Sequence, residues 1–150
     1  MYDLLHNERP DVLCISESWL CQDVSDAEIQ MSGYITLRKD RNLKYFNDIY
    51  TQESRGGVMA YVKCDLHPTV SDMNTTQSEL LWFNISPSMS SDLLIGVCYR
   101  PELAGETYVD TLCDSFNRIS TMITLIVGDF NFRDINWDNL EAHSAISIKF

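Results

Sequence analysis

The sequence predicts an α/β protein that contains a mixed β-sheet. Two apolar runs, residues 80–85 and 93–99, flank a short polar segment, which is the pattern of an antiparallel hairpin. Residues 106–121 carry apolar side chains at a period of 3.6, which predicts an amphipathic helix between run 93–99 and the apolar run 123–127. A strand, a helix and a second strand in this order form a parallel crossover, so one sheet would hold both kinds of pairing.

Each predicted element begins or ends at a turn-forming residue. Gly56-Gly57 precedes one strand, and Ser86-Pro87 ends another. A helix at Tyr2 to Asn7 is expected to end before Pro10, and residues 40–55 are predicted to form a long polar loop. The five predicted strands, in chain order, are Val12 to Ser16, Gly57 to Val62, Leu80 to Ile85, Leu93 to Tyr99 and Ile123 to Val127.

The composition is that of a folded protein without a membrane span. Of 150 residues, 45% are apolar, and no repeat or Pro/Gly-rich linker divides them, so we predict one folding unit over residues 1–150. The apolar runs are far shorter than the roughly 20 residues that span a bilayer. A charged amino terminus predicts an intracellular protein. Five cysteines without a C-x-x-C pair predict reduced thiols, with Cys14 and Cys98 acting as small buried apolar residues.

The charge is strongly acidic, with 11 Lys and Arg against 22 Asp and Glu and a net charge of −11. This argues against a general nucleic-acid coat protein, because affinity for phosphate backbones comes from Lys and Arg. It does not exclude an enzyme that meets phosphate in one cleft. Only residues 38–67 are net basic, with six bases and four acids. For Arg38, Lys39 and Arg41 in this segment, we favour a solvated surface over contact with DNA.

Polar side chains follow three of the predicted strands. Glu17 follows the first, Tyr99 and Arg100 end the fourth, and Asp129 and Asn131 follow the fifth. If these strands are neighbours, the groups converge on a site for a divalent cation and a phosphate, since Mg²⁺ takes carboxylate oxygens and arginine suits phosphate.

A simpler interpretation of the same residues stays open at this point. Acids after strands commonly cap helices or form turns. Tyr99 and Trp82 have the positions of core aromatic residues, and Arg100 that of a solvated charge at a strand end.

Five segments resemble the endonuclease/exonuclease/phosphatase superfamily. Their order and spacing are most similar to the endonuclease domains of non-LTR (LINE-type) retrotransposons, and I-N-W at 135–137 is also similar to that group. The segments are D-V-L-C-I-S-E-S-W-L (11–20), R-G-G-V-M-A-Y-V (55–62), S-E-L-L-W-F-N-I (78–85), L-L-I-G-V-C-Y-R-P (93–101) and L-I-V-G-D-F-N (125–131).

The resemblance implies a two-sheet α/β sandwich of the DNase-I-like type that hydrolyses phosphodiesters with Mg²⁺ or Mn²⁺. It assigns metal ligation to Glu17 and activation of the attacking water to Asp129. Asn131 would position that water, and Tyr99 would contact the scissile phosphate. Arg100 matches the Y-R-P pattern, and we expect it to face the substrate phosphate.

The sequence departs from the family pattern at both ends. The family's first strand, which carries an Asn near the metal, and its late S-D-H motif are not present, so residues 1–150 would form an incomplete domain that lacks the first strand and the carboxy-terminal strands. His143, in E-A-H-S, has no S-D context and does not replace the motif histidine. We therefore expect weak or absent nuclease activity from this chain.

The resemblance also suggests partners and alternatives. The expected partners are DNA and a reverse-transcriptase domain of a longer polyprotein, which would place the protein in the nucleus. One alternative is a catalytically dead retroelement remnant that acts as an interaction module. Another is a phosphoesterase of the same fold that acts on lipid or nucleotide phosphates.

Overall fold

The computed structural model describes residues 2–42, 55–87, 91–119 and 123–150. These residues form two stacked β-sheets with helices on the outer faces. No helix among them is long and apolar enough to cross a membrane.

The first sheet has three antiparallel strands in the order β1-β3-β2. Its outer face packs on side chains from two short helices. The bounds are α1 Tyr2–Asn7, β1 Val12–Ser16, α2 Asp26–Ile29, β2 Tyr34–Lys39 and β3 Val58–Lys63.

The second sheet has four strands in the order β4-β5-β6-β7 and confirms the predicted mixed pairing. Strands β5 and β6 pair antiparallel as a hairpin, whereas β6 and β7 pair parallel across the helix α3. A 3-10 turn at Cys64–Leu66 precedes β4. The bounds are β4 Thr69–Val70, β5 Glu79–Ile85, β6 Leu93–Tyr99, α3 Glu106–Asn117, β7 Ile123–Asp129 and α4 Ala145–Lys149.

The main core lies between the two sheets. Apolar side chains of β2 and β3 meet those of β5 and β6, with β1 and β7 packed at the side. A second cluster joins the outer face of β5 and β6 to α3. The predicted burial of Cys98 is confirmed and that of Cys14 is partial; burial raises the pKa of these thiols to about 12 and about 11, so both stay protonated at neutral pH.

Several elements were not predicted from the sequence. Strand β2 has only a short apolar alternation and ends in two bases, and its pairing with β3 supplies the stabilisation that its own composition does not show. Strand β4 and helices α2 and α4 are too short for a periodic signal. Helix α3 ends at Asn117, before the expected Thr121. Residues 43–54 of the predicted polar loop, and residues 120–122, lie outside the described residues.

The α3-facing side of the second sheet depends on close contact between Trp82 and Gly96. These residues are direct partners in the β5–β6 register, and Trp82 is fully buried. A Cβ atom added at Gly96 would lie 2.4 Å from Cζ3 of Trp82. The indole therefore lies across a position where only glycine fits.

We predict that Gly96→Ala lowers the free energy of unfolding by about 1–3 kcal/mol, because the added methyl group overpacks the cluster. The measurement is urea denaturation followed by circular dichroism. Gly105→Ser is the control: its Cβ meets nothing within 4 Å, and serine is a preferred residue at that N-cap, so no loss is expected. Equal stability of Gly96→Ala and wild type would contradict the packing argument.

Candidate active site

Glu17 leaves the end of β1 in a left-handed backbone conformation, with φ of 53°. The following residues are held by the Gly56-Gly57 turn: the amide of Ser18 donates to the carbonyl of Gly57 (3.2 Å), and that of Trp19 donates to the carbonyl of Gly56 (2.9 Å). These bonds keep a non-glycine residue in a rarely populated region, which is a feature that clusters at functional sites.

The Glu17 carboxylate is fixed by two side-chain donors. The hydroxyl of Tyr99 donates to Oε1, and the indole Nε1 of Trp19 donates to Oε2 at 3.2 Å. Tyr99 ends β6 in the second sheet, so its bond to Glu17 joins the two sheets at this edge. Burial, followed by the bond to Glu17, raises the pKa of Tyr99, and the hydroxyl stays protonated.

Asp129 lies beside Tyr99, its partner in the parallel β6–β7 register. The chain turns immediately afterwards: Asn131 has φ of 49°, and its amide donates to Oδ1 of Asp129 at 3.0 Å. Asp129 is exposed. The structure therefore brings Glu17, Tyr99, Asp129 and Asn131 to one end of the two sheets, which is the convergence that the strand-end pattern predicted.

The position of Arg100 matches neither expectation from the sequence, which were a side chain facing the substrate phosphate and a solvated charge. Arg100 is only 5% exposed, and its guanidinium donates to the carbonyls of Asn131 (3.0 Å) and Ala104 (2.8 Å). The guanidinium also stacks on the ring of Phe132, 4.2 Å from the centroid. In return, Nδ2 of Asn131 donates to the carbonyl of Arg100 at 2.8 Å. Arg100 thus lies against the loop that carries Asn131.

A buried ion pair, not singled out in the sequence, lies beneath the site. Nε of Arg41 contacts Oε1 of Glu79 at 2.5 Å, with both side chains almost fully buried, and the amide of Gly57 donates to Oε2 at 2.9 Å. Burial raises the pKa of Glu79, and the bonds from Arg41 and Gly57 oppose that rise. The one sequence feature that could have indicated this pair is the acid Glu79 directly before the apolar run 80–83.

Two glycines permit this close approach. Gly56 has φ of 71°, and a Cβ there would lie 2.1 Å from Nη2 of Arg41. Gly57 has φ of 76°, and a Cβ there would lie 2.8 Å from Oγ of Ser18. The R-G-G segment therefore has a physical role, since both positions require a residue without a side chain.

The interpretation of Arg38, Lys39 and Arg41 as a solvated surface is wrong. Arg38 is ion-paired with Asp40 and donates to the carbonyl of Cys21 at 2.8 Å. Lys39 donates to the carbonyl of Leu80 at 2.8 Å, and burial lowers its pKa to about 8. Arg41 is buried against Glu79. Arg38 is held by residues 21–26 and Asp40, whereas Lys39 and Arg41 reach the first residues of β5 in the second sheet.

Two clefts open at this end of the sheets. The first, of about 240 Å³, is lined by Glu17, Trp19, Arg41, Arg55, Gly56, Tyr99, Glu102 and Leu103. The second, of about 500 Å³, is lined by residues 128–133 and Trp137. An ion pair between Arg133 and Glu102, at 2.8 Å, joins the two linings. His143 lies at the start of α4, where its amide donates to Asp134.

The carboxylates of Glu17 and Asp129 could hold a divalent cation. Within the described ranges, no group of three or more His, Cys, Asp or Glu side chains forms a complete protein cage. Mg²⁺ commonly binds through one or two carboxylates and completes its shell with water and substrate phosphate. The donors present fit that mode of binding.

Comparisons with known proteins support the fold. No protein-family profile and no curated protein sequence matches the chain. Among solved structures, the human Nocturnin catalytic domain with bound sulfate anion is similar with a TM-score of 0.59 at 13% identity. The match covers 87% of this chain and 54% of that domain, so the chain spans about half of its length. The likeness shows the fold: the described residues form a two-sheet α/β sandwich of the DNase-I-like type, as the resemblance of the motifs implied.

We predict that Arg41→Ala lowers the free energy of unfolding by about 3–5 kcal/mol, because it leaves the Glu79 carboxylate buried without its cation. Urea denaturation measures the loss. The double variant Arg41→Met/Glu79→Leu should recover most of it, since the uncompensated charge is removed.

The control is Lys63→Ala, which breaks the exposed pair with Asp11 and should change stability far less. If Arg41→Ala and Lys63→Ala were equally stable, the buried pair would not have the structural role that we assign to it.

Proposed function

We propose that this chain hydrolyses phosphodiester bonds with a divalent metal ion and nicks DNA in the manner of a non-LTR retrotransposon endonuclease. The observation that carries the proposal is the Glu17 carboxylate, held by the hydroxyl of Tyr99 at the sheet edge where Tyr99 is paired with Asp129. Two carboxylates, a phenol and an amide at one edge supply the groups that phosphodiester hydrolysis requires.

The residues would act in distinct ways. Glu17 would hold Mg²⁺ or Mn²⁺, which when bound polarises a phosphoryl oxygen and offsets developing negative charge. Asp129, the exposed carboxylate, would accept a proton from the attacking water. Asn131, adjacent to it in the turn, would orient that water. Tyr99 would contact the scissile phosphate through its hydroxyl.

Arg100 takes a positioning role in this proposal. Its bonds to the carbonyls of Asn131 and Ala104 clamp the loop after β7, and the bond back from Nδ2 of Asn131 closes the clamp. The catalytic amide is therefore held before substrate arrives, which lowers the reorganisation that the reaction would require.

DNA is the substrate that the motif contexts favour over lipid or nucleotide phosphates, and it would place the protein in the nucleus beside a reverse-transcriptase domain. The net charge of −11 opposes DNA binding, but the clefts contain the exposed cations Arg55 and Arg133. Local cations and a bound metal would offset the charge where phosphate approaches.

We predict weak Mg²⁺-dependent nicking of supercoiled plasmid by the chain, because positioned donors such as the family's S-D-H histidine are individually worth about 10²–10³-fold. Asp129→Ala should lower the rate by about 10²–10⁴-fold, the usual contribution of a general base. Glu17→Ala and EDTA should abolish nicking. Gel separation of supercoiled and open-circular DNA measures the rate.

Asp138→Ala, an exposed acid outside both clefts, is the matched control and should retain wild-type rate. Nicking that survives EDTA or Asp129→Ala would overturn the metal-dependent mechanism. A folded wild type without nicking would favour the inactive interaction module, and hydrolysis of lipid or nucleotide phosphoesters alone would favour the third alternative.

For Arg100→Met we predict a kcat lower by about 10- to 100-fold, because a displaced catalytic group costs rate even when the displacement is near 1 Å. KM and the salt dependence of DNA binding should stay unchanged. Arg133→Met, at an exposed cation of the second cleft, should instead reduce the slope of log affinity against log salt by about 0.9 per lost phosphate contact. If Arg100→Met also reduced this slope, Arg100 would contact the DNA phosphate directly, and its positioning role would be wrong.

A further inference from the structure

Two of the three tryptophans are exposed beside the candidate active site. Trp19 is 56% exposed and Trp137 is 53% exposed, whereas Trp82 is buried and donates through Nε1 to Ser115 at 3.0 Å. Trp19 lines the cleft of Glu17 and Tyr99. Trp137 lines the second cleft, with Asp129. Large aromatic side chains usually bury most of their surface, so two exposed rings at one site call for an explanation.

Trp19 is held in place although its ring is exposed. Its backbone is left-handed, with φ of 55°, and its amide donates to the carbonyl of Gly56 at 2.9 Å. The edge of its indole donates to Glu17 at 3.2 Å. One edge of the ring is therefore tied to the proposed metal ligand, and the side chain is oriented before any ligand binds.

Trp137 lies near the tip of a closed turn. Asn136 and Glu141 form an antiparallel bridge, with N–O distances of 2.8 and 3.2 Å. Oδ1 of Asn136 accepts from the amides of Asp138 (3.1 Å) and Asn139 (3.3 Å). These bonds fix the backbone on both sides of Trp137, so the ring is presented on an ordered turn.

Cations accompany each ring. The cleft of Trp19 contains the exposed Arg55 beside the buried Arg41–Glu79 pair, and the cleft of Trp137 contains Arg133, whose side chain is exposed although it pairs with Glu102. The Arg133–Glu102 ion pair joins the linings of the two clefts. The two rings therefore lie in neighbouring clefts, which open beside the paired residues Tyr99 and Asp129. Aromatic faces that stack bases, next to cations that follow the backbone, are how proteins bind single-stranded nucleic acid.

We propose that Trp19 and Trp137 are stacking platforms for unpaired nucleobases on either side of the phosphate that is cut. The inference rests on the proposed function and specifies its substrate: a single-stranded or locally melted stretch of DNA is bound in preference to intact duplex. In a duplex the base faces are covered by their neighbours, so the two rings could not stack on them.

The test is binding in EDTA, so that it does not depend on catalysis. A 12-nucleotide oligo-dT with fluorescein at one end is titrated with the chain while its fluorescence anisotropy is recorded, and a labelled dT·dA duplex of the same length is titrated in parallel; for the wild type, tryptophan emission is recorded as a second signal. We expect oligo-dT to quench the exposed tryptophans and to bind at least fivefold more tightly than the duplex. Trp82, being buried, supplies a constant background.

Trp19→Ala and Trp137→Ala should each weaken oligo-dT binding by about 5- to 150-fold, the equivalent of the 1–3 kcal/mol that one stacked base contributes. Trp19→Phe and Trp137→Phe keep an aromatic face and should retain most of the affinity. Leu140→Ala, at an exposed apolar residue of the Trp137 turn, is the control and should bind as wild type. Circular dichroism verifies that each variant is folded.

A double Ala variant that binds oligo-dT within twofold of wild type would overturn the proposal, as would equal affinity for duplex and single strand. A dimer in sedimentation, together with tryptophan emission that oligo-dT does not quench, would also overturn it. The plasmid assay tests the proposed function separately. Binding of oligo-dT through the tryptophans without nicking contradicts only the proposed nuclease activity. Nicking by a chain whose Ala variants bind oligo-dT as wild type contradicts only the stacking proposal.

Discussion

The Arg41–Glu79 ion pair is the interaction on which the candidate site depends. It lies where three segments meet: the residues after β2, the turn before β3 and the first residue of β5. A buried carboxylate without a partner is very costly, so the fold must keep the cation and the Gly57 amide in place together. The Gly56-Gly57 turn that satisfies this pair also carries the carbonyls that hold the chain after Glu17. One electrostatic requirement therefore fixes the position of the proposed metal ligand.

Tyr108 of α3 links the two ends of β5 and β6 that carry Glu79 and Tyr99. Its hydroxyl accepts from the amide of Glu79 and donates to the carbonyl of Tyr99, both at 2.8 Å. Tyr99 in turn donates to Glu17. Hydrogen bonds thus run from the buried ion pair to the carboxylate in the cleft, and they place the site's polar groups without help from a substrate. Such preorganisation is what an electrostatic mechanism of catalysis requires.

The acidic composition and the arginines of the clefts act at different ranges. A net charge of −11 governs the field of the whole chain, which repels nucleic acid at a distance. Within a Debye length of about 8–10 Å, the charges that line the clefts matter most, and these include both arginines and carboxylates. The average charge argues against a coat protein, and it says little about a cleft whose own side chains are mixed in sign.

Local patterns in the sequence were sufficient for much of the fold and for the strand-end residues. Strands β1 and β6 begin and end where their apolar runs predict, and Glu17, Tyr99 and Asp129 were found because polar residues follow apolar runs directly. The position of a strand and of the polar residue that follows it depends on residues adjacent in the sequence, and hydrophobic periodicity predicts such local features.

Only the tertiary structure decided which polar groups face one another. Arg41 and Glu79 are 38 residues apart, and nothing in either local segment indicates the pairing. Arg100 has the sequence position of a substrate contact and instead holds a loop, because the chain turns after β7 and brings Asn131 against it. The sequence by itself determined strands β1, β3, β5, β6 and β7 and the candidate residues. The stacking and register of the two sheets determined the partners, since these contacts join residues far apart along the chain.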